Sequence, residues 1–191
     1  MIGNSPYKED IARLFREGLD LERLHGKTIL VAGATGLVGG CVVDVLMQNP
    51  VRCYKVIAAG RNKERARQKF AAYWGDESFF FAEIDVTQPV TKSMDRMIGE
   101  PVYDELAEGA DYIIDAASNA SPNFFSQHPV EVMKANINGV SNLLEYGLSH
   151  RMKRMVYISS GEIYGEGDGS EFSEKSSGYV DCASVRACYP S

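Results

Sequence analysis

Short and almost uninterrupted apolar runs recur along the chain, and segments with a different apolar spacing separate them. Five of these runs predict β-strands: Thr28–Ala32, Lys55–Ala59, Ser78–Ile84, Tyr112–Ala116 and Arg154–Ser159. Strands that are apolar on both faces are typical of a parallel sheet with helices on either side. Because the crossovers between parallel strands are right-handed, the pattern predicts an α/β protein with a doubly wound, three-layer parallel sheet.

The segments between the runs carry apolar residues at the three- and four-residue spacing of helices. They predict a helix from Leu37 to a stop at Pro50, a charged helix over Asn62–Trp74, one or two short helices within 87–108, and a long helix over Pro129–Ser149. From Gly165 onward glycines and serines become frequent, Ser170 among them, and the pattern predicts a long loop.

A leader segment precedes the first strand. Ser5-Pro6 combines a capping residue with a proline in the first helical turn, which predicts the start of a helix. Apolar residues continue at helical spacing, so the leader helix is predicted to end near Gly18 or to run on toward Leu24. We therefore divide the chain into a leader helix at 1–26 and a main domain at 27–191.

A glycine-rich turn joins the first strand to the first helix of the main domain. Its sequence, Gly33-Ala34-Thr35-Gly36-Leu37-Val38-Gly39, has GxxGxxG spacing. Glycines there permit a tight turn, close approach of the backbone to a pyrophosphate, and packing of the helix on the strand. The helix N-terminus offers unpaired N–H groups to the phosphates. This context predicts a Rossmann-type dinucleotide-binding domain, with cofactor contacts from Gly33, Thr35, Gly36, Leu37, Val38 and Gly39.

The ends of the second and third strands bear on which dinucleotide is bound. An acidic residue after the second strand would accept a hydrogen bond from the ribose 2′-hydroxyl and favour NAD. This chain has Arg61 there, which either pairs with the 2′-phosphate of NADP or is a surface arginine beside a helix cap. The predicted cofactor is therefore NAD or NADP. Asp85 and Val86, just after the third strand, are placed to contact the adenine edge.

Composition narrows the function classes further. The 191 residues are 45% hydrophobic and carry a net charge of −6, which is typical of a folded domain and argues against a nucleic-acid partner. No apolar stretch is long enough to span a membrane. The four cysteines have neither CxxC pairing nor a metal-like spacing with the histidines, which predicts free thiols and no metal site. Because the N-terminus has no signal-peptide pattern, we expect a cytoplasmic protein.

Further motifs follow the glycine turn in a fixed order. They are Asp85-Val86, Asp115-Ala116-Ala117-Ser118, Asn136-x-x-Gly139-Val140-x-Asn142-Leu143-Leu144-Glu145 and Tyr157-Ile158-Ser159-Ser160-Gly161-Glu162-Ile163-Tyr164-Gly165. From Lys27 to Ser191 the chain resembles extended short-chain dehydrogenases/reductases of the NAD-dependent epimerase/dehydratase type, which act on nucleotide sugars. Two segments resemble the UDP-glucuronate decarboxylase group of that family: Ala117-Ser118-Asn119-Ala120-Ser121-Pro122 and Arg186-Ala187-Cys188-Tyr189. Asn119, Arg61 and the leader helix depart from that pattern.

The resemblance implies roles for individual residues. Ser160 matches the residue that hydrogen-bonds the sugar hydroxyl undergoing oxidation, Glu162 an acid that assists later chemistry, and Tyr189 the tyrosine base of a YxxxK motif. The lysine of that motif would stand four positions after Tyr189, beyond Ser191. We therefore expect the chain to be the cofactor half of a larger enzyme and to be inactive alone. Asn136 is expected to tie neighbouring backbone together, and the implied cofactor contacts also include Ala116, Ala117, Ser118, Asn136 and Ser159.

Three functions stay open. The first is a nucleotide-sugar epimerase, dehydratase or decarboxylase with a UDP-linked substrate and a cofactor recycled within the site; Gly161, where 4,6-dehydratases have aspartate, disfavours dehydration. The second is a dinucleotide-binding module without catalysis. The third is an NADPH-dependent reductase of a small carbonyl compound, which Arg61 favours. The resemblance also implies a homodimer that pairs through Pro129–Ser149, whose apolar stripe would be exposed in this chain.

Overall fold

Five parallel strands form one sheet in the computed structural model of the chain, which describes residues 5–119, 121–167, 169 and 171–189. The motif residue Ala120, the predicted loop residue Ser170, and positions 1–4, 168 and 190–191 lie outside these residues. The strands are β1 (Thr28–Ala32), β2 (Lys55–Gly60), β3 (Phe79–Glu83), β4 (Tyr112–Asp115) and β5 (Arg154–Tyr157). Their order is β3-β2-β1-β4-β5, and each neighbouring pair is parallel. The predicted doubly wound α/β architecture is confirmed.

Helices cover both faces of this sheet. They are α1 (Ser5–Arg16), α2 (Leu37–Gln48), α3 (Lys63–Lys69), α4 (Val90–Met94), α5 (Pro101–Glu108), α6 (Pro122–Gln127) and α7 (Pro129–Ser149), with 3-10 turns at Glu22–Leu24, Asp95–Met97, Gly161–Tyr164 and Val185–Cys188. Side chains of β1 alternate between two apolar cores. Ile29 and Val31 join the core shared with α2 and α3. Leu30 and Ala32 join the core shared with α4, α5 and α7. Because both faces are buried, the strand has no polar alternation.

The helix predicted over Asn62–Trp74 ends early, at Lys69. The aromatic side chains that follow it turn inward onto β3. The ring centroids of Phe70 and Trp74 lie 5.5 and 6.1 Å from that of Phe79. The free energy gained by burying these rings against the sheet outweighs what further turns of helix would contribute.

Three other boundaries correct or sharpen the predictions. The leader helix α1 ends at Arg16, just before Gly18 with its positive φ of 96°, and does not continue toward Leu24. The helix α6 was not predicted. The segment predicted as a loop from Gly165 onward contains an isolated bridge between Glu166 and Tyr179 and the 3-10 turn at Val185–Cys188.

A buried carboxylate anchors α1 to the main domain. Asp44 on α2 is 2% exposed and accepts hydrogen bonds from the hydroxyls of Tyr7 at 2.9 Å and Tyr73 at 3.0 Å. Burial raises the pKa of both tyrosines, and the neighbouring Asp44 raises it further. Both phenols therefore stay protonated donors at neutral pH, and the leader helix is held by a charge-assisted hydrogen bond.

The long helix α7 has two contrasting faces and spans the predicted range. Its buried face includes Gly139, where an added Cβ would lie 3.1 Å from Cγ2 of Val86, so a small residue lets the helix approach the end of β3. The opposite face carries the predicted apolar stripe and is exposed: Val130, Met133, Ile137, Leu144 and Leu148. In the part of the chain that the structure describes, no helix has the length and apolar character needed to cross a membrane.

Candidate functional site

An open cleft lies along the carboxyl edge of the sheet. It includes the junction of β1 and β4, where the order of strands reverses and where doubly wound sheets bind ligands. Its lining comes from the last residue of β2 and from the segments after β1, β2, β3 and β4, with one residue from α3 and one from α7. We call it the edge cleft, and it is lined by Gly33, Thr35, Gly36, Gly60, Arg61, Arg65, Ile84, Val86, Thr87, Ala116, Ala117, Ser118, Asn119 and Ala135. Most of the predicted cofactor-contacting residues are among them.

Glycine is sterically required at two positions of the glycine turn. Gly33 has a φ of +70°, and a Cβ there would lie 2.4 Å from the carbonyl oxygen of Ala116. Gly39 lies in the first turn of α2, where a Cβ would lie 2.5 Å from the carbonyl oxygen of Gly33. The two glycines therefore allow contact between the end of β1, the start of α2 and the segment after β4. The packing of the helix on the strand is the contact that the spacing predicts.

The N-terminus of α2 meets the edge cleft without a side-chain cap. Gly36 is its N-cap residue and provides no side-chain hydrogen bond to the first amide groups. Leu37 and Val38, which follow in the first turn, are exposed. An uncapped helix N-terminus beside a glycine-rich turn suits a phosphate group. The residues present therefore fit the pyrophosphate of a dinucleotide.

Lys69, which the sequence did not indicate as a site residue, forms hydrogen bonds with the glycine turn. Nζ of Lys69, the last residue of α3, donates to the carbonyl oxygen of Thr35 at 3.3 Å and also to that of Gly36. Gly40 leaves room for the ammonium group, since a Cβ there would overlap it. Burial lowers the pKa of Lys69. The lysine thus links α3 to the turn that the cofactor would occupy.

Two arginines stand beside the end of β2, where the adenosine ribose of a dinucleotide is bound. Arg61 follows the strand directly, and Arg65 lies at the start of α3; both line the edge cleft. After β3, the carboxylate of Asp85 accepts hydrogen bonds from the amide and hydroxyl of Thr87, at 3.0 and 2.8 Å. Asp85 therefore stabilises a turn, whereas Val86 and Thr87 line the cleft.

The end of β4 is tied to α7 and to the last described segment of the chain. The hydroxyl of Ser118 donates to Oδ1 of Asn136 at 2.9 Å, and Nδ2 of Asn136 donates to the carbonyl oxygen of Tyr189 at 3.4 Å. Asn136 is buried. It joins three segments through side-chain and backbone contacts, which is the structural role predicted for it. Its two bonds place Tyr189 beside the segment that lines the edge cleft.

A buried acid lies below this junction. Asp115, the last residue of β4, is 1% exposed, and burial raises its pKa despite a hydrogen bond from the amide of Ala117 at 2.9 Å. Asp115 is paired in register with Tyr157 of β5. Burial raises the pKa of Tyr157, and the proximity of Asp115 and Tyr189 raises it further. The carboxyl ends of β4 and β5 and the Tyr189 segment therefore lie close together.

Ser160 and Glu162 begin the turn that follows β5. The hydroxyl oxygen of Ser160 accepts a hydrogen bond from the amide of Glu162 at 3.3 Å and caps the 3-10 turn, while Ser159 before it is exposed. Tyr189 packs beside Phe124, Val132 and Cys188. Glu162 lines a second depression with residues of the segment after Gly165, including Tyr179, Asp181, Ser184 and Ala187.

The predicted residues thus fall into two groups. The edge cleft contains Gly33, Thr35, Gly36, Arg61, Val86, Ala116, Ala117 and Ser118, whereas Leu37, Val38, Gly39, Asp85, Asn136, Ser159, Ser160, Glu162 and Tyr189 lie outside its lining. Six lining residues were not predicted as site residues: Gly60, Arg65, Ile84, Thr87, Asn119 and Ala135. Their place in the cleft depends on the strand order, so no local pattern indicates them.

The parallel sheet, the glycine-rich turn after β1 and the uncapped α2 define a dinucleotide-binding domain of the Rossmann type. A family model described as "NAD dependent epimerase/dehydratase family" matches residues 29–189. The chain belongs to that family. The nicotinamide dinucleotide predicted from the glycine turn is the cofactor class that this description names.

Curated relatives and solved structures agree with this assignment. The chain is 31% identical over 162 residues to UDP-glucuronic acid decarboxylase 6 from Arabidopsis thaliana, covering 84% of this chain and 41% of the relative. It is 31% identical over 165 residues to UDP-glucuronic acid decarboxylase 1 from Xenopus tropicalis, covering 85% and 34%. The chain thus spans about two fifths or less of these relatives' length.

Two solved structures share the fold. One is a dTDP-glucose 4,6-dehydratase from Streptomyces venezuelae, solved with NAD bound, at a TM-score of 0.66 and 20% identity over 85% of this chain and 48% of that one. The other is a UDP-glucose 4-epimerase from Thermotoga maritima, solved with UDP-glucose, at a TM-score of 0.54 and 26% identity over 73% and 40%.

Proposed function

We propose that the chain provides the cofactor-binding part of a nucleotide-sugar epimerase, dehydratase or decarboxylase that oxidises a sugar hydroxyl transiently. The observation that carries the proposal is the edge cleft, in which a glycine-rich turn and an uncapped helix lie next to the segment that Asn136 ties to Tyr189. Similarity to UDP-glucuronic acid decarboxylases supports a UDP-sugar as the substrate.

In this proposal, each group of residues has a separate task. Gly33 and Gly36 admit the pyrophosphate against the start of α2. A dinucleotide held there would supply reversible hydride transfer with the sugar carbon. The phenolate oxygen of Tyr189 accepts the proton of the sugar hydroxyl, and the Ser160 hydroxyl forms a hydrogen bond that orients this sugar hydroxyl. Glu162, in its separate depression, assists the step that follows oxidation.

A second candidate function rests on a specific observation. Arg61 and Arg65 line the part of the edge cleft beside β2, and arginine at that place suits the 2′-phosphate of NADP. Reductases that consume NADPH on a small carbonyl compound have this requirement. The two candidates share dinucleotide binding and differ in whether the cofactor returns to its starting redox state within the site or leaves it in the oxidised form.

The experiment is a turnover assay of the chain with NAD or NADP and UDP-glucuronate or UDP-glucose, with the sugar products identified by NMR. Tyr189→Phe and Ser160→Ala should abolish any turnover while dinucleotide binding persists. Tyr103→Phe, on α5 and outside the described lining of the edge cleft, is the matched control. Measurable turnover would exclude a non-catalytic dinucleotide-binding module, whereas binding without turnover is what we expect of a cofactor-binding part alone. Absence of dinucleotide binding would refute the proposal.

We also propose that the whole protein is a homodimer in which the exposed stripe of α7 meets a second copy. The stripe supports this, because three of its apolar side chains, Val130, Ile137 and Leu148, are 56%, 53% and 73% exposed on a single helix face.

A further inference from the structure

The basic side chains between residues 61 and 69 differ in what they contact. Lys63 forms an ion pair with Glu100 at 2.8 Å. The guanidinium of Arg67 lies 5.2 Å from the ring centroid of Trp74. Lys69 donates to backbone carbonyls of the glycine turn. Three of the five cations in this stretch are therefore engaged by the protein itself.

Arg61 and Arg65 are the exceptions. Neither guanidinium forms an ion pair or a side-chain hydrogen bond with any residue that the structure describes. Both line the edge cleft together with Thr35 and Gly36 of the glycine turn. The backbone of Arg65 is fixed, because its amide donates to Oδ1 of Asn62 at 2.7 Å. Two unengaged cations thus face the same cleft from adjoining positions.

No carboxylate opposes them within the described lining of the cleft. Asp85, an acid predicted to contact the cofactor, accepts hydrogen bonds from Thr87, and Glu64 accepts one from the side-chain amide of Gln68 at 3.2 Å. NAD-binding sites of this type provide an acidic acceptor for the ribose 2′-hydroxyl. The cleft has no such acceptor among its described lining residues. It has two donors for an anion at the corresponding place.

We infer that the edge cleft prefers NADP to NAD because Arg61 and Arg65 together bind the 2′-phosphate of the adenosine ribose. The inference rests on the dinucleotide binding in the proposed function, which both candidate functions share. It adds Arg65 to the specificity determinants. Because both guanidinium groups are exposed, their attraction for the phosphate is screened by salt. NADP affinity should fall more steeply with ionic strength than NAD affinity.

The test is calorimetric titration of the full chain with NADP and with NAD. The chain should bind NADP about tenfold more tightly or better, and Arg61→Ala or Arg65→Ala should each weaken NADP about tenfold while NAD affinity stays unchanged. Arg67→Ala is the matched control, because it removes an arginine from the same helix but outside the cleft, and it should change neither affinity. Arg61→Asp should reverse the preference by supplying the missing acceptor.

The outcomes separate the inference from the proposed function. If NAD binds as tightly as NADP, or if the arginine variants weaken both dinucleotides equally, the inference is wrong while dinucleotide binding stands. If neither dinucleotide binds to a chain that is folded by circular dichroism, the proposed function fails as well. Titration with adenosine 2′,5′-bisphosphate and with AMP, which differ by the 2′-phosphate, isolates this contact from the nicotinamide end. Equal affinities for these two probes would also overturn the inference.

Discussion

Replacement of Gly33 by alanine tests the packing of the glycine turn against the end of β4. Gly33 and Gly26 have almost the same backbone conformation, with φ values of +70° and +67°. An alanine at either position costs about 1–2 kcal/mol for its left-handed conformation. The two sites differ in their surroundings: a Cβ at Gly26 would have nothing within 4 Å, whereas one at Gly33 would lie 2.4 Å from the Ala116 oxygen and 2.7 Å from the Ala117 nitrogen.

The atoms that a Cβ at Gly33 would meet belong to the backbone, so no flexible side chain can move aside. Overpacking of this kind costs about 1–3 kcal/mol. Gly33→Ala should therefore lower the free energy of unfolding by about 2–5 kcal/mol, against about 1–2 kcal/mol for Gly26→Ala. Loss of unfolded-state entropy stabilises both variants alike and cancels in the comparison.

Urea unfolding without dinucleotide measures both values, and calorimetric titration measures cofactor affinity. Gly33→Ala should shift the midpoint further than Gly26→Ala and should also weaken NAD and NADP, because the segment after β4 must move to admit the methyl group. Equal midpoint shifts with intact dinucleotide binding would refute the steric reasoning.

Three further predictions concern other parts of the molecule. Tyr7→Phe removes a donor to the buried Asp44 carboxylate and should cost about 1.5–3 kcal/mol, with faster amide exchange in α1; unchanged exchange there would contradict the anchoring of this helix. Burial alone would raise the pKa of Asp111, but hydrogen bonds from Lys153 and a backbone amide outweigh it and lower this pKa. The Asp111 carboxylate thus stabilises the fold above the pKa that it has in the unfolded chain, and this stabilisation is lost as pH falls below about 4. Over that acidic range the urea midpoint should fall less steeply in Asp111→Asn than in the wild type. Light scattering should show self-association through α7 that Ile137→Glu abolishes, and a stable wild-type monomer at all concentrations would argue against the stripe as an interface.

The sequence predicts best those elements whose local pattern and tertiary environment agree. Thr28–Ala32 and Pro129–Ser149 are found with the predicted boundaries, because an apolar run between two covering layers and a proline-started amphipathic helix have few alternative arrangements. The prediction over Asn62–Trp74 extends the helix too far. Its aromatic end fits the helical pattern but gains more free energy by packing on Phe79. In this segment the burial of aromatic side chains outweighs helix propensity.

The candidate site divides in the same way. The glycine turn could be found from spacing, because its glycines meet a local steric need. Arg65, Thr87 and Asn119 could not be assigned from a single run of sequence. They line the edge cleft because the strand order brings four strand ends together, and strand order is a property of the whole sheet. Lys69 is a similar case, since its contact with the turn depends on how α3 lies beside α2.

Cofactor preference and cofactor fate are determined at opposite ends of a bound dinucleotide. The 2′-phosphate belongs to the adenosine end, where Arg61 and Arg65 lie beside β2. The proton acceptor proposed for the chemistry, Tyr189, lies across the sheet near β4 and α7. A preference for NADP therefore gives weight to the reductase candidate without deciding between the two. The amount of cofactor consumed per product decides between them. Internal recycling consumes no net cofactor, whereas a reductase consumes one equivalent for each product.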